Sequence, residues 1–402
     1  MPEAVIVSYA RTPIGRAMKG SLSSMRPDDL TTIAIHAALA KVPQLDPTLI
    51  EDLLLGCGQP AGESGYNMAR VVATLAGLAD VPGVTVNRYC SSSLQTTRMA
   101  AHAIKAGEGD IFISAGVETV SRFMVGMADG APGSTNPLFN DAMARTAERQ
   151  EAGSDVWSPP EGLPDIYIAM GQTAENVAQY KNVSREAQDE FAALSQQRAA
   201  DSLARGFFER EIVPVTLPDG SVVTQDDGIR PGTTVERLAA LRPVFRPDGT
   251  VTAGNACPLN DGAAAVIIMS DTKAAELGIT PLARVVSSGV TGLNPEIMGL
   301  GPIEASRQAL ARAGMTIDDI DLVEINEAFA AQVLPSADEL GISIDKLNVN
   351  GGAIALGHPF GMTGARILAT LLNGLEDADK SIGLETMCVG GGQGMAMIVE
   401  RI

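Results

Sequence analysis

The chain has 402 residues and a formal net charge of −19, with 48 acidic against 29 basic side chains. That balance repels a phosphate backbone and excludes general nucleic-acid binding, while leaving open a phosphate-bearing small ligand held by local cations. Hydrophobic residues at 45% and charged ones at 19% fit a globular protein of two or three domains, and only 4% aromatics leave the core to Ala, Val, Ile, Leu and Met.

Near the start, MPEAVIVSYARTP has no basic segment before its short apolar run, and no later stretch approaches the ~20 apolar residues of a membrane span. A cytoplasmic location is expected. Short β-branched runs then alternate with Ala-rich helical stretches: AVIVSYA, DDLTTIAIHAALAKV, DLLLG, VVATLAGLA and GVTVN. Such alternation predicts an α/β fold with a parallel sheet covered by helices. From Ser121 to about Phe245 the texture changes to turn-rich GAPGSTNPLFN and SPPEGLPD around longer polar helices, which reads as a separate insertion. From VTAGNACPLNDGAAAVIIMS onward, strands and helices alternate again.

The second alternation echoes the first. TVNRYCSSSLQTTRMAAHAIKAGEGDIFISAGVE and NVNGGAIALGHPFGMTGARILATLLNGLEDADKSIGLETMCVGGG share the order strand, small-residue turn, helix, strand, and DLLLG matches DLVEIN before them. A duplicated unit brings equivalent strand ends from both halves toward one face, where ligands gather.

Cys90 follows the strand ending at Asn87 and opens the helix SSSLQTTRMAAHAIKAG, so its sulfur is expected near unpaired N–H groups that favour thiolate. A buried packing role is the alternative. Of three histidines, His102 lies twelve residues further along the same helix, about 18 Å away at 1.5 Å per residue, and His36 sits at helical spacing in TTIAIHAALA. Both read as structural. His358, in NGGAIALGHPFGMTGAR, stands among glycines that permit close backbone approach and before a stiffening Pro359, which favours a catalytic imidazole. Cys388 in ETMCVGGGQG ends a strand at glycines able to present N–H groups to a negative oxygen, although alone it reads equally as a core cysteine. Asn326 in EINEAFA is either a donor to a water or carbonyl or a helix cap. The cysteines at 57, 90, 257 and 388 include no zinc-type pair, so free thiols and no metal are expected. No nucleotide-cradling G-x-G-x-x-G or P-loop spacing occurs.

Taken together, NRYCSSSLQ, MGQTAENVA, TAGNACPLNDGAA, MGLGPIEASRQAL, DLVEINEAFAA, NVNGGAIALGHPFGMTGAR and CVGGGQG resemble the thiolase family across essentially the whole chain. The resemblance implies a five-layered αβαβα fold of two duplicated halves. Residues 1–120, completed by 246–271, would form the first half, 121–245 an inserted loop domain contacting CoA, and 272–402 the second. It implies acyl-CoA and CoA as substrates, no other cofactor, and a homodimer or homotetramer. It makes Cys90 the acyl-accepting nucleophile, His358 its activator and Cys388 the second acid/base. Asn326 would hold a water that, with His358, binds the thioester oxygen, and the N–H groups of Cys90 and Gly390 would stabilise the tetrahedral oxygen. Arg230 would meet the adenosine phosphate end. Ala253, Ala256 and Cys257 would lie along the pantetheine arm, with Met170, Met298 and Phe329 as walls.

Two departures bear on substrate. Ala169 stands where many short-chain biosynthetic members have His, which suits a wider acyl site and a role in fatty-acid β-oxidation. Cys257-Pro258 replaces a common Ser-Gly and puts a hydroxyl contact in doubt. The leading expectation is an acetyl-CoA C-acyltransferase cleaving 3-ketoacyl-CoA, or running the reverse condensation. The alternatives are a short-chain acetyl-CoA acetyltransferase, a decarboxylating ketoacyl-synthase-like enzyme, or a noncatalytic acyl-CoA binding protein.

Overall fold

The computed structural model describes residues 2–152 and 156–402. The first half runs β1 (Ala4–Arg11), β2 (Gly15–Arg16), α1 (Pro27–Ala40), β3 (Asp52–Cys57), α2 (Met68–Leu75), β4 (Gly83–Val86), α3 (Ser92–Ala106) and β5 (Ile111–Thr119). Pro27 presets the first turn of α1, and Asp28 and Asp29 there face its positive end. Gly107, at φ 75°, closes α3 in a conformation that glycine adopts without cost. Between β5 and β8 lie α4 (Asn140–Ala152), α5 (Met170–Tyr180), α6 (Arg185–Ala204), β6 (Val215–Thr216), β7 (Val222–Val223) and α7 (Val235–Ala239). The chain continues with β8 (Asn260–Ser270), α8 (Asp271–Leu277), β9 (Ala283–Gly292), α9 (Gly301–Ala313), β10 (Leu322–Ile325), α10 (Ala330–Leu340), α11 (Ala353–Leu356), α12 (Thr363–Asp377), β11 (Ile382–Val389) and β12 (Gln393–Arg401).

The strands order as β10-β11-β12-β9-β1-β8-β5-β3-β4. Outward from the centre, β1-β8-β5-β3 in one direction matches β9-β12-β11-β10 in the other. The duplication legible in the sequence is therefore a duplication of topology. A parallel bridge from Val323 to Leu347 stands beside β10 where β4 stands beside β3. Within the sheet the halves join at β1 and β9, where Val5 pairs with Arg284 and Ile6 with Ala283.

Residues of β1 alternate between two apolar layers, as the period of two along a strand demands. Val5 and Val7 pack outward with Leu30, Ala34, Met68 and Val72 of α1 and α2. Ala4 and Ile6 pack inward with Leu94, Ile104, Ile367 and Leu371 of α3 and α12. On the far side, Ile303, Leu310 and Val333 of α9 and α10 cover Val323, Ile325, Leu384 and Ile398. These three helical layers around two sheet halves make the five-layered αβαβα fold.

The expected parallel sheet is corrected to a mixed one. β3–β4, β3–β5 and β10–β11 run parallel, whereas β1–β8, β5–β8, β9–β12 and β11–β12 run antiparallel. Alternating strands and helices imply parallel pairs only where a helical crossover joins neighbours. β12 instead follows β11 through a tight glycine turn, with Gly391 and Gly392 at φ 78° and 77°, and must run back.

The start of α3 is held close to the sheet and to α12 by small residues. A Cβ on Gly56 would lie 2.5 Å from the Ser92 carbonyl carbon, and one on Gly364 2.2 Å from the Leu94 nitrogen. No side chain larger than hydrogen fits at either contact.

Candidate active site

The turn that carries Cys90 is built by its neighbours. Tyr89 has φ 42°, a left-handed conformation unusual for a bulky residue, and its N–H donates to Asn87 Oδ1 at 2.8 Å. Ser92 Oγ donates to Tyr89 O at 2.7 Å and accepts from Arg88 N at 2.9 Å. Ser91 Oγ donates to Arg88 O, and Ser93 Oγ accepts from Ala365 N at 2.9 Å, tying α3 to α12. The serine triplet thus fixes the turn. Cys90 is buried, with the N–H groups of Gly390 and of Cys90 itself facing its sulfur.

His358 follows the short α11. Its N–H donates to Asn260 Oδ1 at 2.9 Å, and the Asn260 amide donates onward to Gly15 O. Its Nδ1 lies 2.6 Å from Thr363 Oγ1. That hydroxyl spends its one proton on Pro359 O at 2.9 Å, so it accepts from the imidazole, and Nδ1 carries the ring proton. Nε2 is left as an acceptor, facing Asn326 Nδ2 at 3.3 Å. Asn326 is no helix cap. It sits just beyond β10 with its N–H on Thr386 O, and its Oδ1 is buried with no hydrogen-bond donor among the described residues.

Cys388 lies near the end of β11, fully buried in a small cluster with Ala256, Met298, Phe329 and Met170. Burial pushes the Cys388 and Cys257 thiols up, and both lie close enough to Cys90 that ionisation of its sulfur would push them further. Burial also pushes Cys90 up to about 11, with the Glu118 carboxylate adding to it against the two N–H groups. The expectation of a preformed thiolate is therefore corrected: desolvation outweighs the start of α3. His358 is pushed down to about 3, first by burial and then by the Arg366 charge, which leaves a neutral imidazole as an available base.

Two cavities flank this cluster. A chamber of about 360 Å³ is lined by Cys90 and Gly390 with Tyr89, Ile168, Met170 and Phe360. A second, of about 420 Å³, is lined by Arg230, Ala253, Ala256 and Cys257 with Arg16 and Phe245. Cys257 N–H donates to Ala328 O, next to the bridge between Ala256 and Phe329. Of the residues singled out from sequence, Cys90, Gly390 and Met170 line the first cavity, Arg230, Ala253, Ala256 and Cys257 the second, Cys388, Met298 and Phe329 belong to the cluster, and His358 and Asn326 face one another apart from these linings. Apart from them, His36 and His102 are exposed on α1 and α3, and the buried Cys57 lies 3.7 Å from Glu118. Among the described residues, no group of three or more His, Cys, Asp or Glu side chains is placed to hold a metal.

Sequence reasoning missed Thr363, Asn260 and Glu118. The spacing HPFGMT places a hydroxyl one helical turn beyond the histidine's proline and could have indicated Thr363. Glu118 gave no such signal. Its carboxylate accepts from Gly58 N, Gln59 N and Gly361 N at 2.8, 3.2 and 3.0 Å, joining the loop after β3 to the loop after His358.

Two halves of one duplicated fold, each carrying a buried thiol within electrostatic reach of the other's, together with a buried neutral imidazole, point to an acyltransferase. The comparisons agree: residues 4–272 match the model of the thiolase N-terminal domain and 279–401 that of the thiolase C-terminal domain. The chain belongs to the thiolase family. It is 46% identical over 414 residues to a 3-ketoacyl-CoA thiolase of Bacillus subtilis (strain 168), covering 100% of each. It is also 46% identical over 415 residues to the 3-oxoadipyl-CoA/3-oxo-5,6-dehydrosuberyl-CoA thiolase of Escherichia coli (strain K12), again covering 100% of each. The crystal structure of the Bacillus anthracis acetyl-CoA acetyltransferase superimposes with a TM-score of 0.86 at 36% identity, covering 100% of this chain and 99% of that one.

Proposed function

We propose that the protein cleaves 3-oxoacyl-CoA with CoA to acetyl-CoA and a shortened acyl-CoA, and runs the reverse condensation, through an acyl-enzyme on Cys90. The observation that carries this reading is the tautomer of His358 set by Thr363, which leaves Nε2 unprotonated and so able to take a thiol proton. With Cys90 at about 11 and His358 at about 3, the resting pair is neutral, so proton transfer accompanies attack. Sulfur bonds to C3 of the substrate, and the oxygen charge that forms there meets the N–H groups of Cys90 and Gly390. The C2–C3 bond then breaks, its electron pair stays on C2 of the departing acetyl-CoA, and the Cys388 thiol protonates that carbon. The imidazolium passes the Cys90 proton on to the Cys388 thiolate, and the neutral His358 then takes the thiol proton of CoA as its sulfur bonds to the acyl carbon; the Cys90 sulfur leaves and recovers that proton from His358. Asn326, with its unpaired buried oxygen, is suited to hold a water against the thioester carbonyl.

The second cavity suits the CoA arm, with Arg230 supplying a local cation in an acidic chain and the segment 121–245 forming much of the wall. A chamber of about 360 Å³ favours acyl groups longer than acetyl, which supports a degradative enzyme of fatty or aromatic-derived acids over a dedicated acetoacetyl-CoA synthase. A cytoplasmic homodimer or homotetramer without further cofactor fits this reading. No described helix is long and apolar enough to cross a membrane. Incubation with labelled 3-oxoacyl-CoA followed by peptide mass analysis is expected to place the label on Cys90. Label persisting at equal stoichiometry on Cys90→Ala would defeat the reading.

A further inference from the structure

Among the described residues, the chamber beside Cys90 is lined by one charged side chain, and it is acidic. Asp129 lines the wall, and among the described residues no Lys, Arg or His lines it with Asp129. The carboxylate is held by neutral donors: Gln59 Nε2 donates to Oδ2 at 2.5 Å and Tyr89 OH to Oδ1 at 3.3 Å. The backbone returns the contact, since Asp129 N–H donates to Gln59 Oε1 at 3.0 Å. Gln59 is itself fixed through its N–H on Glu118, and Tyr89 by the strained turn next to the nucleophile. Asp129 is thus an exposed carboxylate at the chamber wall, held in place by neutral donors and paired with no described cation.

From this we infer that Asp129 sets the charge preference for the acyl tail: the enzyme favours 3-oxoacyl thioesters with neutral or cationic tails and discriminates against tails ending in a carboxylate. The inference rests on the acyl chamber being the one that holds Cys90. Relatives named for 3-oxoadipyl-CoA handle a carboxylate tail, and a site selecting one is expected to offer a cation to it. This chamber offers the opposite sign. Two unit charges about 6 Å apart in a partly hydrated cleft change relative rates by about 3-fold to 10-fold.

The test compares kcat/KM for thiolysis across two matched pairs. One pair is 3-oxohexanoyl-CoA against 3-oxoadipyl-CoA; the other is a 6-trimethylammonio-3-oxohexanoyl thioester against its uncharged tert-butyl isostere. Wild type is expected to favour the first member of each pair. Asp129→Asn is expected to reduce both preferences by about 3-fold to 10-fold, and Asp129→Glu to retain them. High salt is expected to compress them. A wild-type preference for 3-oxoadipyl-CoA, or equal losses for all four thioesters in Asp129→Asn, would overturn the inference while leaving the thiolase reading intact. Absence of thiolysis of every thioester by the wild type would overturn that reading, and this inference with it.

Discussion

Thr363 Oγ1 and His358 Nδ1 lie 2.6 Å apart, and the hydroxyl's own proton is committed to Pro359 O. A side chain five positions along the chain thereby decides which imidazole nitrogen is basic. Replacing the hydroxyl by a methyl removes the acceptor and frees the ring to rotate or to change tautomer. Thr363→Val is expected to lower kcat for acetoacetyl-CoA thiolysis about 10-fold to 100-fold with little change in KM, and Thr363→Ser to restore most of it. Full activity in the valine variant would refute the assignment.

Burial of Cys90 predicts an unusual reactivity profile. With the thiol pushed up to about 11, its thiolate fraction grows as pH rises through the whole neutral range. Alkylation of the Cys90 peptide by iodoacetamide is expected to accelerate about tenfold per pH unit between about 6 and 10. A plateau below pH 8 would mean that the site keeps a thiolate at rest.

Glu118 links active-site geometry to stability. Burial raises its carboxyl from 4.5 to about 7, against the pull of its three N–H donors. A raised folded-state value means that its stabilising contribution is complete below about pH 4.5 and is lost as pH rises through 7. Glu118→Gln cannot satisfy all three donors and is expected to cost about 1–3 kcal/mol at pH 5. Because the variant no longer titrates, the difference in Tm from wild type should shrink between pH 5 and pH 8. A difference that widens over that interval contradicts the argument.

Arg11 of β1 anchors the segment between β5 and β8 to the sheet. Its guanidinium grips Asp226 at 2.8 and 2.9 Å and Glu211 at 3.1 Å, all fully or almost fully buried. Arg11→Met strips two buried carboxylates of the guanidinium that binds them, leaving Glu211 only the more distant Arg366 charge, and about 3–5 kcal/mol is expected to be lost in urea titration. Since Arg230 lies four residues beyond Asp226, KM for CoA should rise in the same variant. A loss below about 1 kcal/mol would show that the carboxylates find other partners.

How much of this was legible in the chain depends on whether a feature is local. The strand, turn and helix around Cys90 and the glycine turn after Cys388 are local, and both were readable. The duplication was readable because order along the chain survives divergence of spacing. Strand direction was not, since the same apolar alternation serves parallel and antiparallel pairs. The ionisation of Cys90 was misread because the helix start is visible in sequence whereas the desolvation opposing it arises from packing. Thr363 was close enough to His358 to be found. Glu118 was not, because its acceptors come together only when residues 58, 59 and 361 meet in space.

The place of β8 has a consequence for synthesis. It lies between β1 and β5, yet β5 is complete at Thr119 and β8 begins only at Asn260. While the insertion emerges from the ribosome, both neighbours present open edges with unpaired backbone groups, a template for wrong pairing between nascent chains. Nascent chains therefore carry two open strand edges throughout that interval, until the last strand of the first half slides into its gap.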